Sequence, residues 1–168
     1  MLDYSNSSVK NLNELLQKTM DKLFPLEIEL SQLDSAEWNI TYGSNINTTT
    51  TKATYKPLSL NLQGNTNSGY GMSITATTAY YYDLTNLNNF IINFTGNGAN
   101  YNALYIILID EEGNNKTVYN DSWAINSSLS TTLDISSYTG LYKIAINLGT
   151  ENNMSLITRT ATKLLLTR

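Results

Sequence analysis

The chain predicts a mainly β protein, an antiparallel β-sandwich behind an N-terminal α-helical coiled-coil segment. Three observations carry this. An apolar heptad fills the opening residues, short alternating runs with turn signals between them fill the rest, and no helical period recurs after about Glu37. The expected division is residues 1–35 as a helical oligomerisation or attachment segment and residues 36–168 as a β-sandwich binding domain.

The heptad comes first. Val9, Leu12, Leu16, Thr19, Leu23, Leu26, Leu30 and Leu33 follow one another at alternating steps of three and four. That period fits a helix packing on copies of itself. Ser7 or Ser8 supplies the helix cap. Leu15 and Met20, at the flanking g and e positions, widen the apolar seam and favour a homotrimer over a dimer. Lys22 and Glu27 have the spacing of an interchain ion pair. Pro25 faces outward, and either kinks the helix or opens a second one. The competing expectation is an amphipathic helix folded back on its own sandwich.

The strands follow in order. Trp38, Ile40 and Tyr42 alternate, with Trp38 expected in the core. Pro57 is expected to open the strand that carries Leu58, Leu60 and Leu62. Met72, Ile74 and Ala76 form the next run, then Phe90, Ile92 and Phe94. The nearly unbroken apolar run over residues 104–109 predicts a central strand covered on both faces or close to it. Asp110-Glu111-Glu112-Gly113-Asn114 reads as a hairpin turn into Thr117, Val118 and Tyr119. Tyr142, Ile144, Ile146 and Leu148 alternate, and residues 161–167 close the chain. One local pattern occurs twice, as Asp83-Leu84-Thr85 and as Asp134-Ile135-Ser136. An acid two residues before a hydroxyl makes a capped turn, so both acids are expected to be structural.

Composition narrows the function. Charged residues are only 14% and the net charge is −4, with no basic patch to neutralise phosphate, which argues against nucleic acid. With no Cys and no His, disulfides, thiolate metal sites and imidazole catalysis are excluded. No apolar run is long enough to insert in a membrane, and no signal peptide is visible. The Asn-x-Ser/Thr triplets at Asn39, Asn93 and Asn115 read as chance in an Asn- and Thr-rich chain.

A resemblance then emerges from particular residues. Trp38, the Tyr80-Tyr81-Tyr82-Asp83-Leu84-Thr85 segment, the run ending in Asp110 with its Glu-Glu-Gly-Asn turn, and the stretch from Thr132 to Ile146 resemble jelly-roll carbohydrate-binding modules. The resemblance covers about residues 37–168. A helical segment placed before such a module is similar to phage fibre and receptor-binding proteins. The resemblance implies a virion-associated trimer, made in the host cytoplasm. It would sit in the tail or baseplate, attach to other virion proteins through its N-terminal segment, and bind cell-surface glycan. The alternative is a capsid fibre or decoration protein with a structural role.

Twelve tyrosines and two tryptophans are the chemistry available for such a ligand. Sugar rings present apolar C–H faces that stack on aromatics, while their hydroxyls pair with Asn, Asp and Thr. The candidate carbohydrate-binding residues are Trp123, Tyr80, Tyr82, Tyr119 and Asp121. Asp110, Glu111, Glu112 and Asp121 invite a calcium reading. They match no EF-hand loop, and an acidic hairpin tip is ordinarily a solvated turn. No cofactor or metal is therefore expected. No spacing selects a catalytic pair of carboxylates, so a non-enzymatic role is expected.

Overall fold

The computed structural model describes residues 12, 14–16, 19, 27–65, 71–97, 102–122, 128–150 and 155–168, with the side chains of residues 102, 121 and 122 left aside. Among the described residues, twelve strands form two six-stranded sheets. They are β1 (Glu27–Glu29), β2 (Trp38–Tyr42), β3 (Lys52–Thr54), β4 (Ser59–Leu62), β5 (Met72–Thr78), β6 (Tyr82–Asp83), β7 (Asn89–Asn97), β8 (Asn102–Ile109), β9 (Asn115–Ser122), β10 (Leu129–Asp134), β11 (Leu141–Thr150) and β12 (Ile157–Thr167). Sheet A runs β10-β7-β12-β4-β3, and β1 adds to β12 beyond β4. Sheet B runs β2-β5-β11-β8-β9, and β6 adds to β11 beyond β5. Every pairing is antiparallel. The architecture is a β-sandwich consistent with a jelly roll.

Period-two alternation places the core. Phe90, Ile92 and Phe94 of β7 and Leu164 and Leu166 of β12 face Ile74 and Ala76 of β5, Leu104, Ile106 and Leu108 of β8, and Ile144, Ile146 and Leu148 of β11. Trp38 joins them, as its place in the alternating run predicts. β12 also turns a cation inward. Arg159 is fully buried, donating from Nη1 to the carbonyls of Asn97 and Thr158, and burial lowers its pKa to about 10.

The twice-occurring acid pattern is one device used twice. Asp83 accepts from the Thr85 amide and hydroxyl at 2.9 and 2.6 Å, and Asp134 accepts from Ser136 at the same distances. These bonds hold both carboxyls below their usual range. The residue between, Leu84 or Ile135, is fully buried as the anchor of each turn. Gly140 joins this end of the sandwich, donating from its amide to Thr85 Oγ1 and accepting from the Leu84 amide.

Three expectations need correction. Leu30 is not part of an interchain seam: it is fully buried in the sandwich core, and Leu33 packs against that core. The reason is local. Glu27, Ile28 and Glu29 pair with Thr167, Leu166 and Leu165, so the chain is already extended where the heptad would continue as helix. The sandwich therefore starts at Glu27, earlier than the division at residue 36. Pro57 does not open β4, which begins at Ser59; it lies in the preceding turn. Helical turns are present at Leu12, residues 14–16 and Thr19, where Leu12, Leu15 and Leu16 are all exposed. Val9, Leu23 and Leu26 lie outside the described residues. No coiled coil is present among the described residues. No described helix is long and apolar enough to cross a membrane.

Candidate functional site

The run over residues 104–109 resolves into two faces. Leu104, Ile106 and Leu108 are fully buried, while Tyr105, Ile107 and Ile109 face away from the core and are partly exposed. The pairing register then lays out the outer face of sheet B row by row. One row crosses all five long strands as Thr41, Thr75, Asn147, Tyr105 and Asn120. Its neighbour reads Asn39, Thr77, Ala145, Ile107 and Thr117, and a third brings Lys143 opposite Ile109. On the other side of the tyrosine row, Ser73, Gly149 and Ala103 keep the surface low.

This arrangement has a floor and two borders. Ile107 is the apolar floor, beside Ala145, which its neighbours already bury. Tyr105 and Asn147 border it on one side, with Asn147 Nδ2 donating to Thr75 Oγ1 at 2.6 Å. Lys143 and Tyr81 border it on the other, with the ammonium 5.0 Å from the ring centroid. Rows two residues apart are about 6.7 Å apart along the strands, so the borders stand roughly 13 Å apart. A row crossing five strands is about 19 Å long.

Tyr81 reaches this border because the chain leaves the sheet between β5 and β6. Thr78 holds the excursion shut, donating to the Tyr80 carbonyl and accepting from the Ile144 amide. The expelled Tyr80 and Tyr81 are 62% and 40% exposed, enough ring for a ligand to cover.

The sequence candidates scatter. Tyr80 stands exposed beside the excursion. Tyr82 packs against the core, and its pKa is raised by burial first, then by Glu37 and Tyr80. Tyr119 pairs with Ile106 and turns toward the core on the far edge of sheet B, so β11 and β8 separate it from β6. Asp121 sits opposite Leu104 in the backbone pairing, and Trp123 lies outside the described residues. The structure therefore does not bring Tyr119 together with Tyr80 and Tyr82. It brings together Tyr105, Asn147, Thr75, Tyr81 and Lys143, none of which is among the candidates named from sequence. The available signal was Tyr105 itself, an amphipathic ring in an otherwise aliphatic run. Asp110 takes the amide and Nδ2 of Asn114 at 2.7 and 3.0 Å, which makes the acidic tip a turn. No three acidic groups converge on a metal position among the described residues.

Known structures share this sandwich. A ligand-recognition mutant of CBM29-2, a family 29 carbohydrate-binding module, matches with a TM-score of 0.53 at 10% identity, over 84% of this chain and 91% of its own. The likeness is one of fold, a jelly-roll sandwich like that of these modules. A second family 29 mutant matches with a TM-score of 0.52 at 10% identity, over 83% of this chain and 89% of its own. The agarase AgWH50C matches with a TM-score of 0.52 at 11% identity, over 84% of this chain but only 26% of its own. No protein-family model matches the chain, and no curated protein matches it.

Proposed function

We propose that this chain is a non-catalytic saccharide-binding protein that holds glycan on the outer face of sheet B. The observation that carries the reading is the row Thr75–Asn147–Tyr105–Asn120, an aromatic ring set among amides and hydroxyls above an apolar floor. Tyr105 offers a stacking surface to the C–H face of a sugar, and the Asn and Thr groups offer donors and acceptors to its hydroxyls. The fold likeness supports it, since one family 29 neighbour is described in complex with cellulohexaose. The N-terminal segment is the attachment element of a phage tail or baseplate fibre in this reading. Its support is the heptad and the exposed Leu12, Leu15 and Leu16.

Isothermal titration against cellohexaose, agaro-oligosaccharides and bacterial wall glycans tests the binding. The Tyr105→Ala variant is expected to lose at least about tenfold in affinity, roughly 1.4 kcal/mol, with its β-sheet circular dichroism intact. Absence of binding across the panel, or a Tyr105→Ala variant that binds normally, would overturn the reading. Immunogold labelling of particles tests the placement, and label on the capsid would favour the fibre or decoration alternative.

A further inference from the structure

We propose that the bound saccharide carries an anionic substituent, a carboxylate or a sulfate ester, and that Lys143 receives it. This rests on sheet B being a saccharide site and specifies which class of saccharide it takes.

The outward positions of the five long strands run through Asn, Thr, Ser, Ala, Gly, Ile and Tyr, and Lys143 is the one charged residue among those described. In a chain of net charge −4, a lone cation at this border is not general surface positivity. Lys143 is also not free to wander, being half-buried with its ammonium over the Tyr81 ring.

Nothing acidic among the described residues neutralises it. Its cross-strand neighbours are Ile109 and, beyond it, Asn115. Of the four acids in the adjoining turns, Asp83 is engaged by Thr85 and Asp110 by Asn114, while Glu111 and Glu112 point into solvent at the hairpin tip and form no ion pair with Lys143. No carboxylate lies within ion-pairing distance of Lys143 among the described residues. A partly desolvated ammonium with a ring on one side and no counter-charge is a place for an anion from outside. Its position, roughly 13 Å along the strands from the tyrosine row, puts the charge one to two sugar residues from a ring stacked on Tyr105.

The test pairs neutral and charged probes on the intact protein. Oligogalacturonate and sulfated carrageenan oligosaccharides represent the two anions, with cellohexaose as the neutral comparison. At least one anionic probe is expected to bind more tightly than the neutral one, with affinity falling as salt rises. Lys143→Gln should remove about five-fold from the anionic probe alone, the worth of one partly screened charge contact, and Lys143→Arg should restore it. Equal affinity for charged and neutral probes would overturn the proposal, as would a Lys143→Gln variant with an unchanged ratio. If no probe binds at all, it is the saccharide reading itself that fails, and this inference with it.

Discussion

The two outer faces of the sandwich are built from similar residues and used differently. On sheet A the hydroxyls and amides bond to one another. Ser59 meets Thr160 at 2.9 Å, Thr158 donates to Asn61 at 2.8 Å, and Ser130 donates to Asn93 at 2.9 Å. Much of that face is a polar lattice closed on itself, interrupted by the apolar pair Ile91 and Leu165. On sheet B the bond from Asn147 to Thr75 joins two such groups, while Tyr105, Ile107 and Ile109 stand among them. Asn- and Thr-rich composition is therefore not by itself a binding signature. What distinguishes the faces is whether the polar groups already satisfy one another and whether an aromatic ring stands between them.

Substitutions can break this contrast. The largest effect is expected in the β7–β12 seam of sheet A. A Cβ at Gly96 would lie 1.9 Å from the Thr158 carbonyl oxygen, so Gly96→Ala must push two strands apart. A loss of about 3 kcal/mol by urea denaturation is expected, with glycan affinity reduced only through unfolding. Thr158→Val removes a bond within the closed lattice and is expected to cost about 1 kcal/mol of stability while leaving affinity unchanged. Tyr105→Ala should show the reverse, lost affinity with a denaturation midpoint close to that of the parent. If Thr158→Val weakened glycan binding as much as Tyr105→Ala does, the two faces would not differ in role.

The capped turns supply a pH control, because Asp83 ends a strand of sheet B and Asp134 a strand of sheet A. Both carboxyls titrate below the ordinary 3.8 when folded, so their contribution is complete above that value and disappears as pH falls through the folded pKa. Thermal melts from pH 7 to 3 should fall steeply at the acid end, and more shallowly in the Asp83→Asn/Asp134→Asn double variant. The smallest effect on the sandwich is expected from Leu12→Asp/Leu16→Asp. Both leucines are exposed, at 64% and 59%, so the melt should not move. Any self-assembly seen by light scattering should be lost.

Much of the fold is legible because alternation is a strong signal where one face is buried. The runs at Trp38, Leu60, Ile74, Phe90, Leu104, Tyr119, Ile144 and Leu164 all lie in strands. β1, β3 and β6 are two or three residues long, too short to show a period, and pairing with a neighbouring strand defines them. β10 escapes notice for another reason: Thr131 stands between Leu129 and Leu133 on its inward face and dilutes the apolar alternation. Leu30 misleads because steps of three and four continue into a segment where a tertiary strand pairing overrides helical phase. The site is less legible than the fold. Tyr105, Asn147 and Thr75 are far apart in sequence and become neighbours only through register, which no local pattern contains.

The junction at Glu27 has a mechanical meaning. A tether drawn away through the N-terminal segment, against a glycan held on sheet B, would load β1 first. Its pairs with β12 begin at Glu27 and Thr167, where β1 meets the N-terminal segment, and run inward to Glu29 and Leu165. Opening then meets a stop. Glu29 Oε1 takes the Leu164 amide and both the amide and hydroxyl of Ser31, the Leu30 amide donates to the Leu164 carbonyl, and the Leu30 side chain is sealed in the core. Under load, that cluster is the expected point at which opening of β1 would meet resistance.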